Sequence, residues 1–233
     1  MTAPLALTAQ SVPVPNGSFE SPTVPPGAPA YPPVDVWQKS PQPVWFDPAA
    51  TGGITWDQLS GVFPNPVVGE AKHIGNMDGN QAAYLFGLPQ VGLGQSSLGA
   101  TFIVGQSYHL TVGILGGGNI EEGDSFLIEL TYLDNGNNPQ GVAFTPVTFN
   151  KKDFPNVTHL NDFTVDVGEV QASDPWAGKE IGIQLLSTSG RGAGYWDVDN
   201  VRLAAVPEPT MAALAALGAG GLLAAYRGSR RRG

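Results

Sequence analysis

The chain of 233 residues contains no cysteine, only three histidines, and charged residues at 13% of its composition. Without cysteine, neither a disulfide nor a thiolate zinc site can form. The histidines show neither His-x-His nor His-x-x-x-His spacing, so a histidine metal triad has no support. The formal net charge is −9. This acidic balance argues against a nucleic-acid partner, because phosphates require a basic surface.

Familiar catalytic motifs are also missing. No Gly-x-Ser-x-Gly elbow supports a serine nucleophile. The glycine run at residues 116–118 lacks the Gly-Lys-Ser/Thr that completes a phosphate loop, so we interpret it as a turn at the end of a strand. Glu121, Glu122 and Asp124 are neighbours in a turn rather than two acids flanking one bond. We therefore expect no catalytic residue and no enzyme.

Hydrophobic alternation indicates strands in the second half of the chain. Tyr108, Leu110 and Val112 alternate with polar or small residues, which is the period of a half-buried strand. No convincing amphipathic helix occurs between residues 80 and 203. We predict an all-β protein, with a single antiparallel β-sandwich (a jelly roll) over residues 12–203. The further predicted strands are 126–132, 142–149, 160–167, 181–186 and 195–203.

The two ends of the chain differ from this body. The apolar stretch at residues 3–9 has no basic residue before it, so we interpret residues 1–11 as the remnant of a truncated signal region. Residues 204–206 are expected to be a linker. The uncharged run 210–226 predicts one C-terminal hydrophobic helix of about 25 Å, slightly short for a membrane span. It is followed by arginines that favour the cytoplasmic side: Arg227, Arg230, Arg231 and Arg232.

The order of these C-terminal features, beginning with Pro207, Glu208 and Pro209, resembles the bacterial PEP-CTERM sorting signal over residues 207–233. The resemblance implies an exosortase-type sorting protease as a partner. It also implies a transient anchor in the inner membrane before the protein reaches the cell surface or the medium. The alternative is a buried, alanine-rich helix with a basic cap.

Three short motifs in the body, at residues 16–20, 78–85 and 196–203, resemble the galactose-binding-like jelly rolls of carbohydrate-binding modules. The resemblance implies structural Ca²⁺ held by Glu20 and Asp199, with Asp197 and Asn16 as weaker candidates. Ca²⁺ takes six to eight oxygen ligands, so two carboxylates and nearby turn carbonyls suit it. The alternative is that Glu20 and Asp199 are solvated acids at strand ends.

Tryptophans in polar, loop-rich sequence are the remaining candidates for binding. Trp37, Trp45 and Trp56 could stack on the apolar faces of sugar rings, although a tryptophan in a sandwich is more often part of the core. The sequence thus favours an exported surface or extracellular-matrix protein that is not catalytic and binds polysaccharide. One alternative is a calcium-dependent enzyme resembling terpenoid-indole cyclases, with Asp197 as the acid. The other is a purely structural component.

Overall fold

Two antiparallel β-sheets pack face to face in this computed structural model, which describes residues 9–25, 33–190 and 194–207. One sheet has the order β3-β4-β11-β6-β9, with β1 also paired to β11, and the other has the order β2-β5-β10-β7-β8. We call them sheet A and sheet B. The strands are β1 Gln10–Val12, β2 Gln38–Lys39, β3 Ser60–Pro64, β4 Gln81–Phe86, β5 Gly92–Gln95, β6 Gln106–Gly118, β7 Ser125–Leu133, β8 Pro139–Thr148, β9 Asn161–Val167, β10 Gly182–Ser189 and β11 Gly194–Pro207.

The core lies between the sheets because alternate residues of the long strands are apolar. Leu110 and Val112 of β6 are fully buried, as are Trp196 of β11 and Phe126 of β7. The Trp196 and Phe126 rings have centroids 5.5 Å apart. Complete burial of one such side chain contributes about 1.5–3 kcal/mol. The all-β sandwich predicted from the sequence is confirmed, and each predicted strand overlaps an observed one.

The chain ends within the described part differ from expectation. Gln10 and Ser11, assigned to a signal remnant, form β1 and pair with β11. Residues 204–206, expected as a linker, belong to β11 and pair with β6. The reason is that the apolar alternation continues past residue 203, so Ala205 is buried as well. Pro207 is the last residue of β11 and lies opposite Gln106.

The remaining C-terminal predictions cannot be placed. Glu208 and Pro209, the hydrophobic helix and the four arginines all lie outside the described residues. Among the residues that are described, no helix has both the length and the apolar character needed to cross a membrane.

The beginning and end of the sandwich lie side by side. β1 is antiparallel to β11, with Val12 opposite Leu203. After β1 the chain turns, and the Val201 N–H donates to the Gly17 carbonyl at 2.8 Å. The approach is close: a Cβ added at Gly17 would lie 2.5 Å from the Val201 carbonyl oxygen. A side chain at residue 17 would therefore separate the two ends of the domain.

We predict that Gly17→Ala lowers the free energy of unfolding by about 1–3 kcal/mol, the usual cost of overpacking. Urea unfolding followed by tryptophan fluorescence measures this change. Gly168→Ala is the matched control, because a Cβ at Gly168 has nothing within 4 Å. Equal stability of the two variants would contradict the close contact of the chain ends.

Candidate active site

A cavity of about 750 Å³ lies against sheet A, on the face that points away from sheet B. Its size suits a small organic molecule. Its floor comes from β3, β4, β6 and β11, and its roof comes from the segment between β3 and β4 and from nearby loops. The lining residues are Ile54, Gln58, Phe63, Pro66, Lys72, Ile74, Tyr84, Phe86, Leu115, Gly117, Gly118, Val157, Tyr195 and Asp197.

Strand register places one acid at the centre of this floor. Asp197 of β11 lies opposite Tyr84 of β4 on one side and opposite Leu115 of β6 on the other. Successive side chains of a strand point to opposite faces. Trp196 therefore enters the core between the sheets, while Tyr195 and Asp197 line the cavity.

The roof segment, residues 65–80, is held in place by hydrogen bonds from side-chain amides. Asn65 binds both the N–H and the carbonyl of Ile74, each at 2.9 Å. Asn76 does the same for Leu160, at 2.8 and 2.9 Å. Ile74 of this segment packs against Leu115 and Leu160 in a small buried cluster. Ordered chain therefore borders the cavity near Asp197, which is itself buried.

Asp197 has the properties of a buried acid. Asp197 is only 6% exposed, and its Oδ1 atom is buried with no hydrogen-bond partner among the described residues. Burial raises the pKa of Asp197 well above its ordinary value, and the charge of Lys72 opposes this shift only in part. A carboxyl group kept neutral in this way is able to donate a proton near neutral pH.

Aromatic rings surround the acid. Tyr84 and Phe86 have centroids 6.1 Å apart, and Phe86 and Tyr195 have centroids 6.4 Å apart. Burial, followed by the charge of Asp57, raises the pKa of Tyr84 to about 12. The Tyr84 hydroxyl donates to the Gln58 carbonyl at 3.2 Å. These rings thus remain neutral, and their faces attract positive charge.

A pair of acids, Glu20 and Asp199, lies at the edge of the roof. Asp199 is fully buried, and its Oδ2 accepts the N–H of Asp78 at 2.6 Å. Glu20 Oε1 accepts the N–H groups of Asn80 and Gln81, both at 2.8 Å. Burial raises the pKa of Asp199 to about 7 despite its backbone hydrogen bonds. The three sequence motifs at 16–20, 78–85 and 196–203 therefore meet at one turn.

The four predicted calcium ligands do not all come together. Asn16 is committed to the local fold: its side-chain amide binds the backbone of Ser21, at 2.7 and 3.0 Å, and the carbonyl of Asp35. Asp197 lines the cavity instead. Glu20 and Asp199 stay together, and Asp199 Oδ1 is buried without a partner in the described part of the chain. This unpartnered carboxylate oxygen beside a second acid fits a cation.

No cluster of three or more His, Cys, Asp or Glu side chains suited to a metal occurs among the described residues. An ion at Glu20 and Asp199 would consequently need backbone carbonyls and water as its other ligands, which Ca²⁺ accepts.

The tryptophans predicted to stack on sugars do not line the cavity. Trp37 and Trp56 are 4% and 8% exposed. Their indole N–H groups donate to the carbonyls of Asn16 and Ser40, respectively. Trp45 is 50% exposed, with its edge against Trp56. Burial leaves Trp37 and Trp56 without a free face for a sugar ring, whereas half of Trp45 is exposed.

Sequence reasoning named Asp197 as a weaker calcium ligand and as the acid of the alternative cyclase, and it assigned no role beside that acid to Tyr84, Phe86 or Lys72. A signal was present in β4. Residues 82–86 form an uninterrupted apolar run, and residues 81–85 are all buried, although a strand with one face in water should alternate. Apolar residues at every position of a strand indicate that both faces are covered. Here the second cover is the roof of the cavity.

The family comparison agrees with this geometry. The model of the HpiC1-like family, described as HpiC1 cyclase, matches residues 10–204. The chain therefore belongs to the HpiC1-like cyclase family. No curated protein matches it.

Solved structures share the fold. An apo cyclase from Fischerella sp. is 24% identical with a TM-score of 0.65, over 87% of this chain and 98% of its own. A Stig cyclase from Fischerella sp. TAU, in complex with (3Z)-3-(1-methyl-2-pyrrolidinylidene)-3H-indole, is 22% identical. Its TM-score is 0.61, over 86% of this chain and all of its own. A cyclase from the same source, in complex with 4-(1H-indol-3-yl)butan-2-one, is also 22% identical. Its TM-score is 0.61, with coverage of 87% and 100%.

These findings correct the function expected from the sequence. Because the chain belongs to a family of cyclases, the prediction of a non-catalytic, polysaccharide-binding PEP-CTERM protein is wrong. The comparisons support neither an exosortase nor a membrane partner. Solved carbohydrate-binding modules match only at TM-scores of 0.38 to 0.41, which carry no argument. The cyclase alternative replaces the main interpretation, and export to the cell surface stays a prediction.

The burial of Asp197 predicts a pH dependence of stability. An unfolded aspartate ionises near pH 4, whereas the folded protein keeps Asp197 protonated to higher pH. Since the folded state then binds the extra proton, the free energy of unfolding falls as pH rises above about 4 and levels off once the folded pKa is passed. The slope from one such group reaches at most about 1.4 kcal/mol per pH unit.

Asp197→Asn has no proton to lose, so its unfolding free energy should fall less steeply than that of the wild type. Urea unfolding at a series of pH values from 4.5 to 8, with calcium held constant, measures both slopes. Parallel curves for the two proteins would show that Asp197 ionises normally in the folded state.

Proposed function

We propose that the protein is an acid-catalysed cyclase in which Asp197 protonates an apolar, indole-containing substrate bound in the cavity. The observation that carries the proposal is the unpartnered, buried carboxyl of Asp197 at the centre of an aromatic floor. The indole class is suggested by the indole compounds bound to two solved relatives of the same fold.

The chemistry requires no redox partner. The Asp197 O–H bond breaks and a C–H bond forms at a carbon–carbon double bond of the substrate, leaving a carbocation. A second π bond of the same molecule attacks that cation and closes a ring. Loss of a proton from the cyclised cation restores a double bond, and return of a proton to Asp197 regenerates the acid. The overall change is an isomerisation.

The aromatic floor stabilises the cation in this sequence. Tyr84, Phe86 and Tyr195 line the cavity with Asp197, and a cation over an aromatic face gains up to about 2 kcal/mol when desolvated. The covering segment between β3 and β4 limits hydrolysis, since a free cation reacts with water. The positive charge of Lys72 acts on Asp197 and stabilises the carboxylate that is left after proton transfer.

We predict that Asp197→Asn lowers turnover by about 10²-fold or more, the usual contribution of a general acid. The assay incubates the protein with indole derivatives that carry an alkene side chain and detects isomers of unchanged mass by chromatography and mass spectrometry. Glu169→Gln, which alters an exposed acid outside the cavity, is the control. Full activity of Asp197→Asn would contradict the assigned role.

Calcium is the cofactor that the site supports. We place it at Glu20 and Asp199, where it would neutralise two neighbouring acids and fasten the turn at residues 78–81 to both ends of the domain. The role is structural, since Asp197 rather than this pair lines the cavity. The carboxylate oxygen of Asp199 without a donor supports the assignment.

Removal of calcium by a chelator should lower the melting temperature. A ligand at 100-fold excess over its Kd adds about 2.7 kcal/mol, which for a domain of this size corresponds to about 5–10 °C. Asp199→Asn should lose this sensitivity, and Glu169→Gln should keep it. Differential scanning calorimetry with and without chelator provides the measurement, and an unchanged chelator effect in Asp199→Asn would exclude the site.

A further inference from the structure

The glycine run at residues 116–118, interpreted above as a turn, forms part of the cavity wall. Gly117 and Gly118 belong to β6 and line the cavity. Gly117 lies directly opposite Tyr195 of β11, and Gly118 lies opposite Gly194. The run therefore has a packing role in the floor of the cavity.

The absence of side chains on these glycines gives Tyr195 its position. A Cβ added at Gly117 would overlap the Tyr195 ring, and one at Gly118 would lie 2.8 Å from its Cε1 atom. The ring thus lies across both glycines, against the backbone of β6. The sheet closes one side of the ring, and the cavity is on its other side.

Tyr195 is also placed at the end of the cavity next to the acid. Phe86, Tyr195 and Gly117 form one row across β4, β11 and β6. Asp197 lies two residues further along β11, a step of about 7 Å on the same face. The position of the Tyr195 ring therefore determines the space beside the acid.

We propose that Tyr195 is a specificity-determining residue, held against β6 by Gly117 so that a flat aromatic group fits between its ring and Asp197. The inference deepens the proposed function, on which it rests, by naming the residues that set the substrate's shape. A methyl group at residue 117 would have to lift the ring off the sheet, toward the cavity that the ring lines.

Four variants test this arrangement: Gly117→Ala, Tyr195→Ala, Tyr195→Phe and the double variant Gly117→Ala with Tyr195→Ala. The probes are indole and 4-(1H-indol-3-yl)butan-2-one, and calorimetric titration measures their Kd. We expect Gly117→Ala to weaken binding of the butanone about tenfold, equivalent to about 1.4 kcal/mol, and to weaken binding of the smaller indole less. Tyr195→Phe keeps the ring and should bind as the wild type does.

The double variant separates displacement of the ring from general damage. The three heavy atoms nearest to a Cβ at residue 117 all belong to the Tyr195 ring. Without that ring the double variant should therefore bind within about threefold of Tyr195→Ala, well inside the tenfold step. Gly168→Ala, whose Cβ contacts nothing, controls for a glycine substitution elsewhere. Wild-type affinity in Gly117→Ala, or a double variant that binds about tenfold more weakly than Tyr195→Ala, would overturn the proposal.

A crystal structure of Gly117→Ala provides a readout that needs no ligand. The Tyr195 ring should be displaced from β6 into the cavity, and an unmoved ring overturns the proposal even if neither probe binds the wild type. Neither binding nor ring position depends on proton donation. Failure of the proposed cyclase activity would appear separately, as the absence of turnover in the wild type.

Discussion

The pairing of β11 with β4 and β6 is the constraint on which the rest of the molecule depends. β11 runs through the middle of sheet A and is hydrogen-bonded along most of its length. Because side chains alternate along it, Trp196 enters the core while Asp197 enters the cavity. A slip of one residue would place the acid in the core and the indole in the cavity. The pairing of β11 with β1 at the start of the domain and its long ladder with β6 fix this register.

The same strand holds two buried acids in different surroundings. Asp199 accepts the N–H of Asp78 and lies near Glu20, so a cation bound there would neutralise two neighbouring acids. Asp197 has no such neighbour, and its Oδ1 accepts nothing among the described residues. Burial of an unpaired carboxylate is costly, and the group responds by staying protonated. Two aspartates two residues apart thus lie in different environments, and the two proposed roles rest on that difference.

Sequence reasoning predicted the sandwich well where alternation was clear and poorly where it was absent. β6 and β7 were evident because Leu110, Val112 and Ile128 recur at a period of two. The strands before residue 106 were missed because they are short and embedded in proline- and glycine-rich chain. The burial of Trp37 and Trp56 was not anticipated, for a related reason. Trp37 occurs in polar sequence, but tertiary contacts bury it and satisfy its N–H through the Asn16 carbonyl.

The candidate site was harder to predict because it depends on contacts across strands. Asp197 alone resembles any acid near the end of a strand. It becomes a candidate acid catalyst only when Tyr84 and Leu115 lie beside it and the segment between β3 and β4 covers it. The glycines of β6 are a parallel case, since their composition is typical of a turn. Their function becomes visible only when Tyr195 occupies the space that side chains would fill. In both cases the missing information was what lies opposite, which local sequence does not contain.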